Sequence, residues 1–201
     1  MAYNSIEFFA LFLPAVILLY QLCKDKYRWV VLLIASYTFF FMFSKFLLLY
    51  NIGTVLITYA IAHYLGKLNI AKPKDKDEKK HFASKKKKIL ALGIIINLLV
   101  LAFLKYTNAF GDVLSSISKM FGEGFSFKHL EILVPIGVSY YTFQAISYLI
   151  DIYRKTIEPE SNIAKIALYL SFFPTLVEGP ITRFSDISNE IFSGNPITYD
   201  N

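Results

Sequence analysis

The sequence predicts an all-α integral membrane protein, a polytopic helical bundle of about five transmembrane helices plus one broken or re-entrant segment. Three observations carry this. Of the 201 residues, 55% are hydrophobic, 17% aromatic and only 18% charged, too apolar a balance for an ordinary soluble domain. Five windows, Ile6 to Cys23, Trp29 to Phe43, Phe46 to Leu65, Ile89 to Tyr106 and Leu130 to Tyr153, approach or exceed the roughly 18 apolar residues that cross a hydrocarbon core of about 30 Å. The remaining charge is gathered between these windows rather than spread along them. Residues 1–201 therefore read as one membrane-embedded domain, with a basic loop at 67–88, an amphipathic segment at 108–129 and a motif-rich region at 130–184.

The first window follows Met1 to Glu7, which hold no Lys or Arg, and no small-x-small site comes after it. It reads as a retained helix rather than a cleaved secretory signal. The second window is short, but only Ser44 and Lys45 separate it from the third, so the pair reads as a tight helical hairpin. Cys23 is the one cysteine, which excludes an intrachain disulfide or a two-cysteine metal knuckle.

Between the third and fourth windows lies "KPKDKDEKKHFASKKKK", Lys72 to Lys88, with nine lysines against Asp75, Asp77 and Glu78. Its excess of +6 equals the formal net charge of the whole chain. The excess is confined to one loop between two apolar windows, so no nucleic-acid partner is expected. The positive-inside rule instead places loop 67–88 in the cytoplasm, as a flexible solvated linker beside anionic lipid headgroups. Lys24 to Arg28 and Arg154-Lys155 then fall on the same side, and the N-terminus faces outside. In the outer segment 108–129, Phe110, Val113, Leu114, Ile117 and Phe121 recur at helical spacing. They predict a short interfacial amphipathic helix that Gly122 and Gly124 end.

The fifth window carries a polar stripe. At about 100° per residue, Tyr140, Gln144, Ser147 and Asp151 fall within roughly 60° of one another. In lipid such a face turns toward the bundle interior or a wet cavity, and an ionisable group there is a functional candidate. Asp151 lies close to Arg154, so a headgroup-facing carboxylate is the other reading of that residue. Pro135 and Gly137 permit a kink or a close helix approach.

The apolar run Ile166 to Val177 is too short to cross: about 12 residues reach some 18 Å. It leads into "SFFPTLVEGPITRF", Ser171 to Phe184, where Pro174 and Gly179-Pro180 break the chain and Glu178 and Arg183 add charge. Broken backbone at membrane depth survives when buried in protein or lining a watery cavity. A re-entrant break there, with Glu178 and Arg183 paired or facing the cavity, is one reading. The interfacial exit of a half-buried helix is the other.

"LVPIGVSYYTFQAISYLIDIYR" followed by "YLSFFPTLVEGPITRF" resembles the membrane-bound O-acyltransferase family, in its bacterial alginate O-acetylase-like branch. The second block is similar to the family signature, the first to the helix before it, and together with the residues between them they span about a quarter of the chain. The teichoic-acid D-alanyl transferases share "FFPT" and "GPI", which keeps D-alanyl transfer open as an alternative. The resemblance implies a partial fold of that family and a multi-pass enzyme of the bacterial inner (plasma) membrane. It also implies that an acyl group, acetyl first among them, passes from a cytoplasmic thioester such as acetyl-CoA to an extracytoplasmic polysaccharide hydroxyl or a cell-surface acyl-transfer partner. No bound cofactor and no metal are expected, and membrane lipid is the remaining partner. The family's catalytic histidine is expected beyond Asn201, so the chain reads as the N-terminal part of a larger acyltransferase and inactive alone. His63, His81 and His129 lack that histidine's context. Tyr140, Gln144, Asp151, Pro174, Glu178, Gly179, Pro180 and Arg183 are the channel and donor-binding candidates. Broken helices and polar stripes also build transport pathways, so a transporter or assembly subunit is the non-enzymatic alternative. Walker, nucleophile-elbow and dinucleotide motifs are absent from the sequence.

Overall fold

The computed structural model describes residues 6, 8–43, 45–71, 73, 75–120, 137–175 and 182–196. All regular structure among them is helical. A π-helical turn, Phe8–Phe12, leads into α1 (Leu13–Leu22), and a 3₁₀ turn, Asp25–Tyr27, into α2 (Arg28–Phe43). Then follow α3 (Lys45–Ile70), α4 (Lys76–Met120), α5 (Gly137–Arg154), α6 (Ile163–Ser171), a 3₁₀ turn at Phe173–Thr175 and α7 (Phe184–Ser193).

Polar pairs between helices set the register. Tyr37 on α2 donates to Asn51 Oδ1 on α3 at 3.1 Å, consistent with the tight hairpin. Helix α5 runs in the same direction as α3: Tyr50 and Thr142 hydroxyls meet at 3.3 Å toward the N-terminal ends, and Asn69 Nδ2 donates to the Ile152 carbonyl at 2.8 Å toward the C-terminal ends. Helix α4 closes on this pair at Gly93, where an added Cβ would lie 3.0 Å from Leu149 and 3.2 Å from Ile61. A small residue there lets three helices approach closely.

The interior is more polar than a soluble core. Asn51, Thr54, Thr58, Asn97, Thr142, Gln144 and Asp151 are buried, while Leu18, Leu22, Ile34, Leu49, Leu56 and Phe103 face outward. A bilayer favours this distribution, because outward apolar groups meet lipid and inward polar groups pair with one another. Leu48–Ile70 and Lys76–Tyr106 are long and apolar enough to cross a bilayer by length and composition. Phe8–Leu22 is apolar but shorter, so the first predicted window is a shorter helix than its apolar run.

Two predicted boundaries differ. The stretch read as a solvated linker at 67–88 is helical for most of its length: α3 continues to Ile70 and α4 starts at Lys76. Lys, Ala and Glu are good helix formers, and Asp77 and Glu78 in the first turn favour the helix dipole. The lysines stay mostly exposed, so the segment remains solvated without being irregular. The amphipathic segment expected at 108–129 is, through Met120, the continuation of α4. Nothing in Tyr106 to Gly111 breaks a helix strongly enough to separate the two. Gly122, Gly124 and His129 lie outside the described residues.

Candidate functional site

The polar stripe of α5 is real, and it faces the break in the chain. Three side chains converge on Thr182. The Thr182 backbone N–H donates to Tyr140 Oη at 3.3 Å, Gln144 Nε2 donates to Thr182 Oγ1 at 3.1 Å, and Tyr169 Oη donates to the Thr182 carbonyl at 2.9 Å. Gln144 and Tyr169 are each 1% exposed. A buried amide and phenol need partners, and they find them on the hydroxyl and the carbonyl of Thr182, a residue that belongs to no regular element. This anchor fixes the residue before Arg183, which caps α7 and is exposed.

Helix α6 is short at both ends for local reasons. Asn162 Oδ1 accepts from the Ala164 N–H at 2.9 Å, an N-cap. At the other end Ser171 Oγ bonds back to the Ala167 carbonyl at 2.7 Å, and Phe172 leaves the helical region with ψ 107°. The 3₁₀ turn then holds Pro174, which is exposed, beside the buried Phe173. Phe173 packs against Phe12 at 5.5 Å between ring centroids and against Phe8 and Phe39 at 6.2 Å each. Its N–H donates to Ser36 Oγ at 3.3 Å. Helix α6 therefore ends at Ser171 in a proline turn clamped by aromatic rings. Glu178, Gly179 and Pro180 lie outside the described residues, as does any Glu178–Arg183 pairing.

The connection into α6 also leaves the helical path. Gly66 sits so close to the Pro159 ring that a Cβ would overlap Cγ. The Glu160 N–H donates to Tyr148 Oη at 2.8 Å, and Tyr59 Oη donates to the Ser161 carbonyl at 3.0 Å. Asn69 to Tyr59 spans about 15 Å along α3, so this connection runs down the bundle from the lysine-bearing end. Asp151 lies beneath it on α5, 5% exposed, with Oδ2 buried and unpartnered. Burial settles one of the two readings of Asp151: its carboxylate points into the protein rather than outward with Arg154, which is exposed.

Tyr169 and Thr182 were not among the candidates picked from sequence. A tyrosine inside the short apolar "IALYLS" is the signal that could have found one, since its hydroxyl requires a partner. Of the histidines, His63 stacks on Tyr59 at 4.5 Å with Nδ1 buried and unpartnered, and His81 is exposed on α4. Neither reaches the Thr182 anchor by any observed hydrogen bond. Among the described residues no group of three His, Cys, Asp or Glu side chains is placed to hold a metal.

The comparisons with known proteins agree with the motif reading. No family model matches the chain, and no solved structure matches it. The chain is 35% identical to the probable alginate O-acetylase AlgI of Pseudomonas aeruginosa over 191 residues, covering 94% of this chain and 34% of that protein. It is 34% identical to the probable alginate O-acetylase AlgI of Pseudomonas putida over 202 residues, covering 100% of this chain and 39% of that one. A peptidoglycan O-acetyltransferase of Helicobacter pylori is 30% identical over 122 residues, 49% of this chain and 22% of that protein. The chain thus spans little more than a third of the length of the alginate O-acetylases it matches. Their match runs through both sequence blocks and the helices that bring them together, and the chain belongs to the membrane-bound O-acyltransferase family, in its alginate O-acetylase-like branch.

Proposed function

We propose that this chain forms part of an integral membrane O-acyltransferase that moves an acetyl group from a cytoplasmic thioester, acetyl-CoA in the simplest case, to a hydroxyl of an extracytoplasmic polysaccharide. The observation that carries the reading is the anchor on Thr182, in which two hydrogen bonds from Tyr140 and Gln144 join the first motif block to the second, and a third, from Tyr169, closes the second block on itself. The names of the relatives, alginate O-acetylase and peptidoglycan O-acetyltransferase, support a polysaccharide acceptor.

In this reading five spans place the N-terminus outside and the lysine-bearing end in the cytoplasm. The acceptor oxygen attacks the thioester carbonyl, the thiolate leaves, and the hydroxyl proton passes to a general base. A histidine beyond Asn201 serves as that base. The residues present here shape the path: Tyr140, Gln144 and Asp151 supply its polar wall, the Pro174 turn opens it, and Arg183 meets a phosphate or carboxylate of the donor. A partner acyl carrier at the cell surface is the indirect route to the same acceptor.

The test is transfer of labelled acetyl from acetyl-CoA to alginate or peptidoglycan fragments by the intact protein in membranes. Asp151→Asn keeps the side-chain size and removes the charge. It is expected to lower transfer about tenfold or more, the scale of one misplaced polar group, with the melting temperature held. Absence of transfer from any acyl thioester to either acceptor overturns the reading.

A further inference from the structure

At the lysine-bearing end, the α3–α4 connection, the first turns of α4 and the end of α5 enclose a cleft of about 450 Å³. Its lining includes Asn69, Lys79, Phe82, Lys86, Arg154 and Lys155, and among the described residues it includes no carboxylate. None of these four cations forms an ion pair among the described residues; the ion pairs there are Arg28–Asp25 and Lys165–Glu160. Four like charges around one concavity repel unless an anion enters.

Two further features point to a ligand. Lys155 has φ 64°, the left-handed conformation that glycine takes freely after a helix and that a side-chain-bearing residue takes at a cost. The backbone there closes in the usual way, with Lys155 N–H on the Ile152 carbonyl and Thr156 N–H on the Asp151 carbonyl, each at 3.0 Å. Helix termination alone would be served better by glycine, so the lysine side chain is what the strained position supplies. Second, Asn69 spends its Nδ2 on the Ile152 carbonyl, and its Oδ1 is buried without a partner. A buried acceptor in a cleft wall matches a ligand that brings a hydroxyl or N–H donor as well as negative charge.

We propose that this cleft binds a phosphate ester, with Lys79, Lys86, Arg154 and Lys155 around the phosphate and a hydroxyl or N–H of the ester's alcohol portion available to Asn69 Oδ1. A phosphate has enough oxygens to meet several cations at once, and Arg154 can address two of them. The apolar part of α4 begins at Ile89, within a turn of Lys86, which sets the cleft at headgroup level. The ester is therefore either the headgroup of an anionic phospholipid or a soluble organic phosphate. The site does not depend on the acyl-transfer reading, and its test uses no transfer assay.

The intact protein is reconstituted in phosphatidylcholine nanodiscs. One arm titrates glycerol 3-phosphate by calorimetry, and the other adds phosphatidylglycerol to the discs and counts retained lipid by native mass spectrometry. Saturable glycerol phosphate binding identifies a soluble ester. Retained phosphatidylglycerol without it identifies a headgroup. In whichever arm binds, Lys155→Gly is expected to weaken binding about three- to tenfold while the melting temperature holds or rises, because glycine relieves the strain. Lys79→Gln with Lys86→Gln is expected to weaken it further and to flatten its salt dependence. Binding in neither arm overturns the proposal, as does binding that all these substitutions leave unchanged.

Discussion

Freeing Thr182 should expose the bond after Arg183. Three hydrogen bonds hold this residue, at 3.3, 3.1 and 2.9 Å from Tyr140, Gln144 and Tyr169. Each is worth about 1 kcal/mol net, and more where a buried partner is left unsatisfied. The triple change Tyr140→Phe, Gln144→Leu, Tyr169→Phe keeps the rings and most of the volume. It removes about 3 kcal/mol of local anchoring as an upper bound, because bonds sharing one residue do not add independently. At 1.4 kcal/mol per tenfold, the opening equilibrium of this segment rises by roughly 100-fold. Arg183 is exposed and stands at the N-cap of α7, outside the helix proper, so tryptic cleavage after it reports that opening when reclosing is fast. Mass spectrometry of the new end at Phe184 in a time course gives the rate, and melting temperature verifies the remaining fold. A triple variant that is folded yet cleaved within roughly threefold of the parent rate refutes the anchor, since the lost bonds then contribute almost nothing.

Gly194→Ala tests the docking of α7. Gly194 has φ 67°, a Cβ there would overlap the Asp25 carbonyl, and its own carbonyl receives Arg28 Nη1 at 2.6 Å. Left-handed strain and overpacking together should cost about 2–4 kcal/mol, read as a lower melting temperature in detergent. A tag inserted beside Lys80 should be reachable only from the cytoplasm if the positive-inside reading holds. Labelling of that tag from outside intact cells reverses the proposed topology.

Local composition was enough for the helices, since apolar runs and strong helix formers need no partner to declare themselves. The same is true of the polar face on α5, which follows from residue spacing alone, and of the interruption at Pro174. Helix ends were less legible. A lysine run reads as solvent-loving whether or not it is helical, so the start of α4 at Lys76 was hidden in its own charge. The amphipathic stretch after Tyr106 likewise carries no mark of being joined to the helix before it.

What the sequence by itself determined is an apolar helical chain with polar and broken segments at stated positions, because those properties reside in each residue and its near neighbours. Which groups answer one another was decided by the tertiary structure alone. Thr182 is unremarkable in the chain, yet α5 and α6 bring Tyr140, Gln144 and Tyr169 to it. Lys79 and Lys155 are separated by two long helices in sequence and share one cleft. A hydrogen bond or a field of charge acts over ångströms in space, and the packing of helices against one another is what makes distant residues near.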